Sequence, residues 1–455
     1  MEYKVQSSAP PTVRLEREAA AAALRAARPK GKNLRWVIIA VITLLTITNY
    51  LDRGNLSVAA PQIMHDLNIS NTMMGVILSA FVWPYAIMNL PTGWAIDRFG
   101  AKVMLTLAAG LWSLVALLTG FARHVETFIG LRVALGVSES PLFPAALKAT
   151  DAWFPDHEKA VATSIYISAT QVGLAIAPPA ATVLMAAFGW PAMFIIMGTV
   201  GFIAMLGWIV IYREPASHRW IHPDEKAYIQ AGQLKGQDIE LDVAAENTNV
   251  SAKDWISLFK YPTTWFMVIG GFSLQYVFWF YISWLPTYLQ KAQGFAIDRA
   301  GFLAAVPYIA GGVAVLVGGQ LSDVLIVRGV DPFRARRYVI AGAAVLTALT
   351  MFATAMSSGS SIAVVLLTLG MFTYSLSSAN YWTLASNVAT TKRFVASIGS
   401  IQNFGGFMGG ACAPITTGIL VDRFGGFVPA LITAGALALL SAFMYAVALR
   451  KRLPV

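Results

Sequence analysis

Cysteine is almost absent from this 455-residue chain: Cys412 stands alone, which excludes an internal disulfide and a thiolate metal cluster. Charge is scarce too. Asp, Glu, Lys and Arg together make up 12% of the residues, against about 25% in ordinary soluble domains. The chain carries no HExxH, no GxSxG and no phosphate-cradling GKS/T, so zinc hydrolysis, serine hydrolysis and nucleotide hydrolysis lack their usual residues. No enzyme activity, cofactor or metal is expected. Ten-residue segments of alternating polarity are also missing, which argues against a transmembrane β-barrel.

What the sequence has in abundance is apolar length. Hydrophobic residues reach 57% and the mean hydropathy is +0.62. Runs of about 20 apolar residues recur throughout, the length a helix needs to cross a bilayer. In lipid the backbone must satisfy its own hydrogen bonds, so such runs are helical. Twelve spans are predicted, near 36–61, 72–96, 102–121, 126–149, 159–187, 191–212, 262–290, 300–326, 337–356, 360–388, 394–421 and 428–448.

The net charge of +10 does not point to nucleic acid, because of where the basic residues sit. Both termini and every second connection, among them 97–102, 148–159, 213–260, 328–337 and Lys392–Arg393, are rich in Lys and Arg. The intervening connections, such as "HDLNIS", "ARHVE" and "SSGSS", are poor in them. Basic residues accumulate on the cytoplasmic side of membrane proteins, which predicts that both termini are cytoplasmic. The Arg- and Ala-rich tail carries Glu16 and Glu18, which fits a solvated tail better than a transit peptide. The expected organisation is a tail over 1–35, a six-helix bundle over 36–212, a cytoplasmic linker over 213–261, a second bundle over 262–448 and a tail over 449–455.

The halves echo each other. "GWAID", Gly93 to Asp97, matches "GQLSD", Gly319 to Asp323, each closing the second span of its half. Pro178, Phe188 and Gly189 share the mutual spacing of Pro414, Phe424 and Gly425. Two repeated halves joined by a linker form the plan of a transporter that rocks about a midplane site. "GWAIDRFGAK" resembles the G-x-x-x-D-[RK]-x-G-[RK]-[RK] signature of the major facilitator superfamily, with Ala101 in place of one basic residue. The resemblance implies an all-α membrane protein of twelve helices in two pseudo-symmetric six-helix bundles. It also gives Gly93, Asp97, Arg98 and their echo Asp323 structural and gating roles, with Asp97 and Arg98 holding helix ends together in the outward-facing state.

Charges inside spans stand out against this background. In "NYLDRGNLSVAAP", Asp52 and Arg53 follow Arg35 after 16 uncharged residues, roughly 24 Å of helix at 1.5 Å per residue. That is shorter than a bilayer core of about 30 Å, so the helix is expected to carry both charges past this point into the membrane. Such charges need a wet cavity or a partner; an interfacial pair reaching back to water is the alternative. In "GLRVALGVSESPLFPAALK", Arg132 and Glu139 are seven residues apart and share a helix face. Glu139 is the deepest acid of the chain, able to exchange a proton or to serve as a structural partner of Arg132 or Arg53. Pro141 and Pro144 loosen the backbone beside it.

Together with "FYISWLPTYL" in span seven and "REPASHRWIHPDEKAYI" after span six, these residues resemble the anion:cation symporter branch of that superfamily over about residues 34–450. The branch implies that Arg53 meets a substrate carboxylate while Asp52 and Glu139 carry protons. It also implies that Tyr85, Gln171 and Asn403 line the cavity, with Trp382 and Thr383 as weaker contacts, although "NYWT" transfers poorly. Helix–helix hydrogen bonding is the alternative role for each neutral polar group. The leading expectation is proton-coupled uptake of a small organic anion, a sugar acid, by a monomer in the cell membrane. Na⁺ is the alternative coupling ion. An aromatic or other hydroxy-carboxylate is the alternative substrate, and a proton-coupled drug exporter is a further rival that has little use for a central Arg53.

Overall fold

A computed structural model of the chain describes residues 33–233, 252–388 and 394–453. The predicted N-terminal tail before Asn33, part of the linker, and the basic pair Lys392–Arg393 lie outside the described residues. Among those described, ten helical stretches are long and apolar enough to cross a membrane. Two departures reconcile that number with twelve crossings. Val161–Ile211 is one stretch but two crossings, folded back at Gly189, where φ is 78°. Span four is split into Val125–Glu139 and Leu142–Trp153, each too short to cross alone. Gly100, with φ 84° and ψ 156°, likewise separates spans two and three within the stretch Val82–Thr119. These backbone angles are open to glycine and costly to any residue with a Cβ.

Span one, Leu34–Asp66, has 33 residues and extends roughly 50 Å at 1.5 Å per residue. Span two begins as Asn71–Ser79 and continues from Val82. The second half comprises span seven (Pro262–Lys291), eight (Ile297–Val327), nine (Pro332–Met356), ten (Ser360–Val388), eleven (Val395–Phe424) and twelve (Val428–Phe443, ending in a π-helical turn over Met444–Ala448). Across the interface, span eleven packs on span two, span eight on span five, and span seven on span one. Exchanging the halves maps the first of these contacts onto the second and the third onto itself. This is the signature of a pseudo-two-fold assembly.

The linker is not a free tether. Its first part folds back on the face where the chain begins and ends. Arg35 is wholly buried there, pairing with Glu158 at 2.8 Å and Glu225 at 3.1 Å. Trp153 donates to the Arg213 carbonyl at 3.0 Å, and Gln233 donates to the carbonyls of Asp151, Ala152 and Phe154. Residues 213–233 thus pack with the first half. Removing one member of such a buried ion pair costs about 3–5 kcal/mol, because the abandoned charge stays out of water.

The two faces differ in how the halves meet. On the face away from the termini, bonds cross the interface: Asp422 to Asn71 and Thr72, Lys291 to Asn71, and Ser79 to the Ala411 carbonyl. On the terminal face, ion pairs among the described residues run within a half, as in Asp97–Lys148 at 2.9 Å and Arg452–Asp331 at 2.6 Å.

Candidate substrate and ion site

Span one does carry Asp52 and Arg53 deep into the molecule. Its helix runs 13 residues beyond Arg53, which sets the guanidinium about 20 Å along the axis from the far end. Both side chains are buried, at 3% and 7% exposure, so the interfacial alternative is not what the fold adopts. Span four brings the second acid to meet them. Pro141 cannot donate to the Val137 carbonyl, and the Ser140 hydroxyl takes that acceptor at 2.9 Å instead. The helix therefore breaks directly after Glu139. Gly136, one turn earlier, lets span four press on span two, since a Cβ there would lie 2.2 Å from the Phe81 carbonyl oxygen.

The result is a salt bridge from Arg53 Nε to Glu139 Oε2 at 3.0 Å, with Glu139 at 0% exposure. Arg132 is buried and acts electrostatically on both Glu139 and Asp52. Two acids and two guanidinium groups thus form one cluster of zero formal charge. It is not closed on itself. Arg53 Nη2 and Glu139 Oε1 are buried without a hydrogen-bond partner in the protein. Buried charged groups are normally bonded, so this pair retains one free donor and one free acceptor.

Aromatic rings wrap the guanidinium. The Arg53 Cζ lies 4.4 Å from the Tyr50 ring centre, 4.7 Å from Tyr85 and 5.1 Å from Phe81. Desolvated cation–π contacts of this kind contribute up to about 2 kcal/mol each. Tyr85 and Phe81 are stacked at 5.6 Å, and both touch the second half, Tyr85 through Phe407 at 5.4 Å and Phe81 through Trp279 at 6.2 Å. The arginine therefore lies at the seam of the two bundles.

The neutral residues are distributed less evenly. Gln171 is half-buried, with Oε1 lacking a partner, and its Cβ lies 3.6 Å from the position a Cβ on Gly312 of span eight would take. Asn403 is half-buried in span eleven. Trp382, 55% exposed, and Thr383 lie within two turns of the terminal end of span ten. The Thr383 carbonyl accepts from Arg336 there, at 3.0 Å. Asp97, Arg98 and Asp323 are exposed at the same face, away from the charged cluster.

Several neighbours escaped the sequence reading. Asn49 is wholly buried one turn before Arg53, beside the Glu139 carboxyl, yet neither amide atom completes a hydrogen bond. Asn55 donates to Asp52 at 3.4 Å. In the second half, Tyr374 donates to Gln275 at 2.6 Å, and Gln402 and Tyr381 exchange bonds through their main chains. Their spacing was a usable signal for the first two, since Asn49, Asp52, Arg53 and Asn55 fall within two turns of one helix. Tyr374 and Gln275 come from different spans, and nothing local pairs them.

The chain matches the family described as Major Facilitator Superfamily over residues 42–414. It is 33% identical to the probable L-galactonate transporter of Escherichia coli (strain K12), across 91% of this chain and 89% of that protein. It is 32% identical to the D-galactonate transporter of Escherichia coli O6:H1, across 93% and 96%. Among solved structures, a bacterial homologue of the human lysosomal transporter Spinster superposes with a TM-score of 0.74 at 16% identity, covering 92% of this chain and 98% of that one.

Proposed function

Since this chain belongs to the Major Facilitator Superfamily and is a multi-pass membrane transporter, we propose that it takes up a sugar acid together with protons by alternating access. The substrate class rests on the two galactonate transporters and on the chemistry of the pocket. The single observation that carries the proposal is the buried Arg53–Glu139 bridge, with one donor and one acceptor left free.

The mechanism follows from charge balance. A guanidinium offers a planar fork that matches two carboxylate oxygens. While Glu139 is ionised it competes for that fork. Protonation of Glu139 releases Arg53, and the incoming carboxylate replaces the charge that was lost. One proton per carboxylate keeps the four-residue cluster neutral, and burying an uncompensated charge would cost several kcal/mol. Asp52, bonded to Asn55, supplies a second proton site; if both load, one positive charge moves inward per cycle. Tyr85, Gln171 and Asn403 are the groups we assign to the substrate hydroxyls, with Trp382 and Thr383 as peripheral contacts.

The aromatic wealth of span seven gives little support to an aromatic substrate. Tyr281 is spent on the Leu367 carbonyl at 2.9 Å and Trp284 on the Pro414 carbonyl at 3.1 Å, both buried in packing. The Lys/Arg bias puts the terminal face in the cytoplasm of a cell whose plasma membrane holds the protein. With the far face bridged, the conformation is then inward-facing, and halves 36–212 and 262–448 rock about the cluster with 213–261 as linker.

The test is transport into proteoliposomes with D-galactonate under an imposed pH gradient. Glu139→Gln should lose gradient-driven accumulation while retaining substrate exchange. Full accumulation by this variant would refute the proton role.

A further inference from the structure

The first eight positions of the superfamily signature occur twice in this chain, on opposite faces. Gly93 to Gly100 reads "GWAIDRFG" and Gly418 to Gly425 reads "GILVDRFG", the same G-x-x-x-D-R-F-G. Both final glycines turn the chain with positive φ, 84° at Gly100 and 71° at Gly425. The first closes span two on the terminal face; the second closes span eleven on the far face.

Their surroundings are opposite. Asp422 reaches across the interface to the start of span two and accepts four bonds, from Asn71 N at 3.2 Å, Asn71 Nδ2 at 2.7 Å, Thr72 N at 2.7 Å and Thr72 Oγ1 at 2.6 Å. The next two helix donors are met by Ser70, through its hydroxyl to Met73 N and its carbonyl to Met74 N. The three N–H groups that open the helix, at Asn71, Thr72 and Met73, are therefore satisfied, two of them by a carboxylate from the other bundle. Gly418 belongs to the same contact: a Cβ there would lie 2.4 Å from the Asn71 carbonyl oxygen. Lys291 adds a bond to Asn71 at 3.3 Å. By contrast, the Asp97 side chain is 81% exposed and pairs with Lys148 of its own half, and a Cβ on Gly93 would meet nothing within 4 Å.

We propose that Asp422 and Gly418 form a second gate latch, reciprocal to the one at Gly93 and Asp97, which holds the far face shut while the terminal latch is open. Span two carries Asp97 at one end and receives Asp422 at the other; span eleven carries Asp422 at its end and begins on the terminal face, at Val395, where Asp97 would dock. On this proposal, rocking the halves exchanges one carboxylate–helix contact for the other. The inference concerns conformation and holds whatever solute is carried.

The experiment is a distance measurement on purified, full-length protein in nanodiscs without substrate. Spin labels replace His124 and Ser358, exposed in far-face connections of the two halves, in a Cys412→Ser background. Asp422→Ala should shift the population toward long far-face distances by about tenfold, the effect of losing charge-assisted bonds. Asp97→Asn should leave the short distance dominant. If Asp422→Ala does not fold, the pair Asn71→Ala and Thr72→Val removes the side-chain donors and should produce a smaller shift in the same direction. An unchanged distribution in a folded Asp422 or Asn71/Thr72 variant would overturn the proposal, as would far-face opening by Asp97→Asn. Transport data are not needed, so this outcome is separate from that of the uptake assay.

Discussion

The two halves share a fold but differ in what they bury. In the first half, four ionisable groups from spans one and four are buried together: Asp52, Arg53, Arg132 and Glu139. In the second half, neutral pairs are buried instead, Tyr374 with Gln275 and, nearer the terminal face, Tyr381 with Gln402, while Asn380 donates to the Gly318 carbonyl at 2.8 Å. Buried charge is costly and responds to protons; buried amides and hydroxyls are cheaper and respond to shape and hydrogen-bond direction. On the proposed reading, ion coupling and carboxylate capture fall to the first half, while the substrate hydroxyls are met from both sides of the seam, by Tyr85 and Gln171 of the first half and Asn403 of the second.

Mutations can break this comparison in order of expected effect. Arg53→Ala removes the carboxylate partner and strands Glu139, so uptake should fall by at least about a hundredfold, in line with 3–5 kcal/mol for breaking a buried pair. Tracer uptake normalised to the amount of protein in the membrane measures it; near-normal uptake would dissociate the cluster from transport. Asn403→Ala should weaken apparent affinity by about tenfold and leave pH dependence unaltered, the cost of one or two lost hydrogen bonds. A change in the number of protons coupled in that variant would erase the distinction between the halves. Trp382→Ala and Thr383→Ala, at the exposed terminal end of span ten, should change affinity by about twofold at most, which a competition series with other sugar acids would resolve.

Much of this organisation was legible in the sequence because lipid imposes simple rules. The length of the apolar runs gives the crossings, and spans five and six were already separable where the helix folds back at Gly189. Glu139 and Arg53 were recognisable as isolated charges in apolar surroundings. Their mutual bridge, at 86 residues' separation, was one of several pairings the sequence left open. Less was legible in the second half. Asn403, Gln402 and Gln275 are all polar residues in spans, and only tertiary packing shows that Gln275 and Gln402 bond within the protein. The docking of 213–233 was hidden as well, since Glu225 and Glu158 look like ordinary surface acids until Arg35 is found buried between them.

The central claim is that a proton on the Arg53–Glu139 pair and a carboxylate at Arg53 bind together. Calorimetric titration of D-galactonate into the purified protein, in two buffers of different ionisation enthalpy at one pH, measures that linkage directly. The account predicts net proton uptake on binding, by wild type, at a pH where Glu139 starts ionised, and its loss in Glu139→Gln. Identical binding heats in both buffers for wild type across the pH range of binding would contradict it.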